Sequence, residues 1–193
     1  MVSLETYLQT IPDVRRAQGK RYPLDGMLMF FILCILSGRS GYREMERYGK
    51  QHDAILRELL HLKHGTPSNV SIRTIIQTLD WEAAQAAFNQ WMLAVIEERS
   101  KNEPADADSS PLSRVLAFDG KALRATLRDY GKTYQNFVCF LHGFLAESGI
   151  LLHVHEYQNG HQSEQIELQT VLNALNLKGY ILTLDALHTQ KKR

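Results

Sequence analysis

The residues of this chain with the plainest chemical potential are two aspartates, each closing an apolar run. In "RVLAFDGKALR" the segment Val115 to Phe118 ends on Asp119, with Gly120 and Lys121 directly behind it. In "GYILTLDALHTQ" the run Tyr180 to Leu184 ends on Asp185. A lone aspartate after a strand, above all before glycine, is commonly a turn residue or a helix cap. Two carboxylates brought together are another matter, because they repel unless they share a proton or a hard divalent cation. Mg²⁺ or Mn²⁺ held by such a pair, with water positions open, can activate a hydroxyl nucleophile and stabilise the leaving oxygen in phosphodiester cleavage. Pattern alone leaves both readings standing.

Whether the aspartates meet depends on the elements that carry them. Arg114 to Phe118 reads as a short strand, Tyr134 to Leu145 as a second, and Ile150 to Tyr157 as a third, reached through the hairpin loop "AESG". "SEQIELQTVLNALNL" follows with Ile166, Leu168, Val171, Leu172 and Leu175 on one helical face and Ser163 as N-cap. Tyr180 to Leu184 is the fourth strand. A crossover helix returns the chain so that the fourth strand lies parallel to the first, with a right-handed connection. If those strands are neighbours, Asp119 and Asp185 stand at the same edge of a mixed sheet.

The first hundred residues carry helical patterns. A short helix spans Ser3 to Gln9. Pro23 and Asp25 open an apolar helix that ends at Ser37 and Gly38. "YREMERYGKQHDAILRELLHL" reads as two helices broken near Gly49. "HGTPSNVS" is a turn, leading into "IRTIIQTL" and then an amphipathic helix from about Trp81 to Glu98, with Phe88, Met92 and Val95 on one face. The expected class is therefore α+β: a helical domain over 1–99, a polar linker over 100–113 rich in Pro and Ser, and a sheet domain over 114–193.

Composition bounds the rest. With 44% hydrophobic and 22% charged residues the chain is globular and not disordered. A net charge of +1 means that any nucleic-acid face must be local. Cys34 and Cys139 lie in apolar runs and fit reduced, buried thiols of the cytosol. "MLMFFILCILS" is shorter than the roughly twenty apolar residues a membrane span needs, so it reads as a core helix.

Basic residues are the remaining candidates. Lys121, Arg124, Arg128 and Lys132 follow Asp119 and could track a DNA backbone, or form a solvated loop. Arg15, Arg16, Lys20 and Arg21 form the densest cluster of the helical half and are read as DNA-touching. "TPSNVSIRTIIQTL" could hold a groove-entering helix, but helix, turn and helix are common in any all-helical domain, and packing is the preferred reading of the segment. His153, His155 and His161 read as ordinary strand and loop histidines.

The combination "AFDGKALR" with "NGHQSEQIELQTVLNALNLKGYILTLDALHTQK" resembles the insertion-sequence transposases of the DDE type, in the group that includes the H-repeat-associated proteins. "DVRRAQGKRYPLDGML" and "SGRSGYREMERYGKQH" resemble the helical domain that precedes the catalytic domain there. The resemblance implies a ribonuclease-H-like fold from Arg114 onward, with Asp119 and Asp185 as catalytic, metal-binding members of an acidic triad served by Mg²⁺ or Mn²⁺. It implies cleavage of transposon ends and their joining to target DNA, in a bacterial cytoplasm and on the nucleoid when DNA is bound, with self-association or a full-length transposase as further partners. The family's third acid lies well downstream of the second aspartate, and no acidic residue follows Asp185 here. Glu164 and Glu167 sit on the crossover helix, where the family does not place that ligand. The expectation is an incomplete catalytic domain, truncated and catalytically impaired. The alternative is a non-catalytic, DNA-binding or transposase-interacting remnant.

Overall fold

Six helices follow one another in the first half of the chain: α1 (Leu4–Leu8), α2 (Leu24–Leu36), α3 (Tyr42–Gln51), α4 (Asp53–Leu59), α5 (Asn69–Thr78) and α6 (Trp81–Asn102). Strands β1 (Val115–Leu123), β2 (Val138–Leu145) and β3 (Leu151–Gln158), helix α7 (Glu164–Ala174) and strand β4 (Ile181–Thr183) make up the second. The computed structural model describes residues 2–102, 115–127, 136–146, 149–159, 163–175, 177 and 180–184. Two compact units divide between Trp91 and Met92.

In the helical unit α2 is the centre. It starts from Pro23, whose fixed φ suits a helix entry, and buries Leu24, Met27, Leu28, Phe30, Phe31 and Cys34. A helix this apolar has to be surrounded, and Met45, Leu56, Ile72, Ile75 and Ala87 close over it. The break expected near Gly49 falls at His52 instead. Gly49 itself is buried within α3, where a Cβ would press on Thr66 and Phe30 at 3.0 and 3.3 Å. The glycine is there for close packing, not for a bend. Ser68 caps α5 by accepting the N–H of Ser71 at 3.3 Å. Helix α6 continues through Asn102, past the expected linker start at Ser100.

In the second unit the four strands are ordered β3-β2-β1-β4. β2 runs antiparallel to both β1 and β3, and β4 runs parallel to β1. That is the mixed sheet, with first and fourth strands adjacent, that the sequence predicts. β2 alternates strictly, burying Cys139, Leu141 and Leu145. These pack with Leu116, Phe118, Leu152 and Tyr157 beneath Leu168 and Val171 of α7. Ser163 caps α7, as expected, but Ile166 departs from the expected face and is 53% exposed.

No described helix is long and apolar enough to cross a membrane. Cys34 and Cys139 are both free and buried, and burial pushes the Cys34 thiol up to about 11.

Candidate functional site

β1 does not stop at Phe118. β2 offers partners as far as the pair Leu123↔Val138, so the strand runs on through Asp119, Gly120 and Lys121. Asp119 is a mid-strand residue opposite His142, two positions beyond the last β4 pair, Ala117↔Thr183. Successive strand side chains take opposite faces, so Asp119 and Lys121 share one face and Gly120 the other. The Lys121 Nζ lies 2.7 Å from Asp119 Oδ2, with the two side chains 65% and 49% exposed. Water screens a pair this open, which therefore adds little stability and is readily exchanged. Phe140 and His142, stacked at 6.0 Å between ring centroids, lie on the same face.

The other face of β1 lies under α7. A Cβ on Gly120 would meet the Glu164 carboxylate, the far end of a flexible side chain, which places Glu164 over this face of the strand. Glu164 and Asp119 are thus on opposite faces of the strand and cannot share an ion. Glu167, 5% exposed, pairs with His155 at 2.6 Å. Burial, and then the charge of Glu164, hold the Tyr157 phenol well above its usual range. Burial likewise raises the Cys139 thiol. His153, stacked on His155 at 6.4 Å, is driven down to about 4, first by burial and then by the neighbouring imidazole. Little in the sequence warns of this polar layer, because its members are scattered over three elements.

Asp185, Arg128, Lys132 and His161 lie outside the described residues. Among the described residues no group of three or more His, Cys, Asp or Glu could hold a metal ion. Asp119 nonetheless has the right donor chemistry for a hard cation: an accessible carboxylate with no buried partner to displace.

The basic candidates divide. Arg124 is exposed in the 3₁₀ turn Arg124–Thr126 that follows β1. Arg15 is turned inward, its side chain only 5% exposed. Its Nε and Nη2 donate to the Asp13 carboxylate at 2.8 Å each, and Nη2 also to the Tyr22 carbonyl at 2.9 Å. That fork-to-carboxylate geometry ties down the loop, and the charge is spent internally. Lys20 donates to the Asp13 carbonyl at 2.9 Å, and Arg16 is left exposed.

Comparison with known proteins adds family context to this geometry. Residues 5–92 match the family described as DDE_Tnp_1-associated. Over 190 residues the chain is 25% identical to the "Putative transposase YncI" of Escherichia coli O157:H7, covering 98% of this chain and 45% of that one. It is 26% identical over 189 residues to the "H repeat-associated putative transposase YhhI" of Escherichia coli (strain K12), covering 97% and 46%. The "H repeat-associated putative transposase YbfD" of the same strain is also 26% identical over 189 residues, with 97% and 68% covered. The expected likeness to this group is there along nearly the whole chain, at modest identity. The chain spans about half the length of YncI and YhhI. No solved structure matches it significantly.

Proposed function

We propose that this chain, transposase-like along nearly all of its length, acts on DNA through a ribonuclease-H-like domain in which Asp119 is one carboxylate of a metal-dependent phosphodiester site. One observation carries the reading: the parallel pairing of β1 with β4. Its register is a constant offset, with Val115 on Ile181, Leu116 on Leu182 and Ala117 on Thr183. In the sequence Asp119 follows Ala117 by two residues, as Asp185 follows Thr183 by two. Two aspartates at the same step beyond paired parallel strands are what a shared cation would call for.

Asp119 and Asp185 would hold Mg²⁺ or Mn²⁺ through hard oxygen donors, the remaining positions being filled by water and phosphate oxygens. Such a cation supplies nucleophile activation and charge stabilisation at the scissile phosphate. Lys121 holds the Asp119 carboxylate on the face turned away from α7 and yields it when a divalent charge arrives. Arg124, at the end of the same strand, and Arg128 would contact the DNA backbone. Asp119 and Asp185 are two of the three carboxylates that the resemblance implies, and metal binding at the pair is the part of the reading open to direct test.

The test is Mn²⁺ binding, read by the free-ion paramagnetic signal. Wild-type protein should bind Mn²⁺, with Asp119→Asn and Asp185→Asn each weakening it at least about tenfold, the loss of one charged ligand. Equal binding by all three proteins would end the metal-site reading.

A further inference from the structure

The charged surface not used so far lies in the helical unit, in a groove between α3 and α5. It is lined by Tyr42 and Arg43 at the start of α3 and by Asn69, Val70, Arg73, Thr74 and Gln77 of α5. The α5 residues recur at steps of one, three and four, which makes a single stripe along the helix. The helix turns its opposite side, Ile72 and Ile75, into the core. Val70, Arg73, Thr74 and Gln77 are all exposed.

The composition of that stripe points to a ligand. Arg reads guanine edges, Asn and Gln read adenine edges, and small methyl-bearing side chains contact the thymine methyl group. An α-helix fits the major groove of duplex DNA, so a rigid helix with such a stripe is suited to enter it. Charge complementarity agrees. Arg43 and Arg73 are exposed, and neither forms an ion pair among the described residues. The neighbouring acids are occupied. Glu46 is bound to Lys50 at 2.9 Å and to the Asn69 amide at 2.5 Å, and these contacts hold its carboxyl down at about 2. Glu44 accepts the Gly41 N–H at 3.3 Å. The Glu46–Asn69 contact also fixes α3 against α5, so Arg43 and Arg73 keep their relative placement. It uses the Asn69 donor group, which leaves Thr74 and Gln77 to meet base edges, with Arg43 and Arg73 available to the phosphates.

We infer that the α3–α5 groove is a duplex-DNA docking surface, with α5 facing the major groove and Arg43 and Arg73 on the phosphates. This rests on the reading above for the choice of DNA as the polyanion, and it moves the DNA contact of the helical unit away from Arg15. The experiment is fluorescence-anisotropy titration of the full chain with a mixed-sequence duplex of about 24 base pairs, over a series of NaCl concentrations. The variants are Arg43→Ala/Arg73→Ala, Arg43→Lys/Arg73→Lys, and Arg57→Ala as a control on the paired Arg57–Asp53 surface. The double alanine variant should lose about tenfold in affinity and flatten the salt slope by about two, the effect of two lost phosphate contacts. The double lysine variant should keep the wild-type slope, and Arg57→Ala should change neither quantity. Wild-type affinity and slope in the double alanine variant would overturn this inference alone. So would an equal loss on single-stranded DNA of the same sequence. Failure of the wild-type protein to bind duplex DNA at all would overturn it together with the proposed function.

Discussion

Asp119 and Gly120 are neighbours in the chain, yet they belong to two chemically different faces of one sheet. On the Gly120 side α7 presses down, and the polar groups it traps are committed to one another, Glu167 to His155 above all. On the Asp119 side a carboxylate and an ammonium meet in water, half exposed and replaceable. Burial makes a polar contact expensive to break and so fixes it as structure; exposure makes it cheap, and leaves the group free for a ligand. The same contrast separates the two arginine sets of the helical unit. Arg15 is locked onto Asp13, whereas Arg43 and Arg73 are left outside.

Substitutions can break this comparison or sharpen it. The largest effect should come from Leu116→Ala, at a fully buried position of β1. It is expected to cost about 2–5 kcal/mol, read as lost hydrogen-exchange protection of the β1–β3 amides. Tryptophan fluorescence is the wrong probe, since Trp81 and Trp91 both lie in the helical unit. Next comes Glu167→Ala, which strips His155 of its partner under α7 and should cost about 1–3 kcal/mol by the same measurement. A cost near zero would erase the distinction between the faces.

A pH series probes the covered face more gently. His153 has its pKa depressed from 6.5 to about 4, so the unfolded chain takes up the proton more readily than the folded one. Its contribution is therefore complete above pH 6.5 and is lost as pH falls from 6.5 towards 4. His153→Gln should flatten the stability profile in that window, seen in melting temperatures of the two proteins across it. The smallest effect is expected at Lys121→Ala on the exposed face: less than about 1 kcal/mol in stability, with Mn²⁺ affinity rising because Asp119 loses its competing cation. A large destabilisation would show that this pair, too, is structural.

Much of the fold could be read in advance because its signals are local. The strict alternation of β2, Ser163 ahead of α7 and the apolar run of α2 each announce their element through neighbours in sequence. The parallel direction of β4 followed from the crossover helix that brings the chain back, a rule of topology and not of any one residue, while its place beside β1 was a condition that the sheet order meets. The site was less open to reading. Asp119 looked like a strand tip because apolar character stops at Phe118, but pairing with β2 carries the strand on to Leu123. Arg15 looked like a DNA contact because it stands in a basic cluster, and only Asp13 and the Tyr22 carbonyl show where its charge is used.

The sequence by itself determined which elements form, in what order, and that two aspartates end two apolar runs. Periodicity and capping act over a few residues, so they survive without knowledge of the whole. The tertiary structure alone decided which face each charge occupies, that Glu164 lies across the strand from Asp119, and that Arg43 and Arg73 share one groove. Those facts depend on strand pairing and helix docking between distant segments, where a shift of one residue would exchange the buried face for the exposed one.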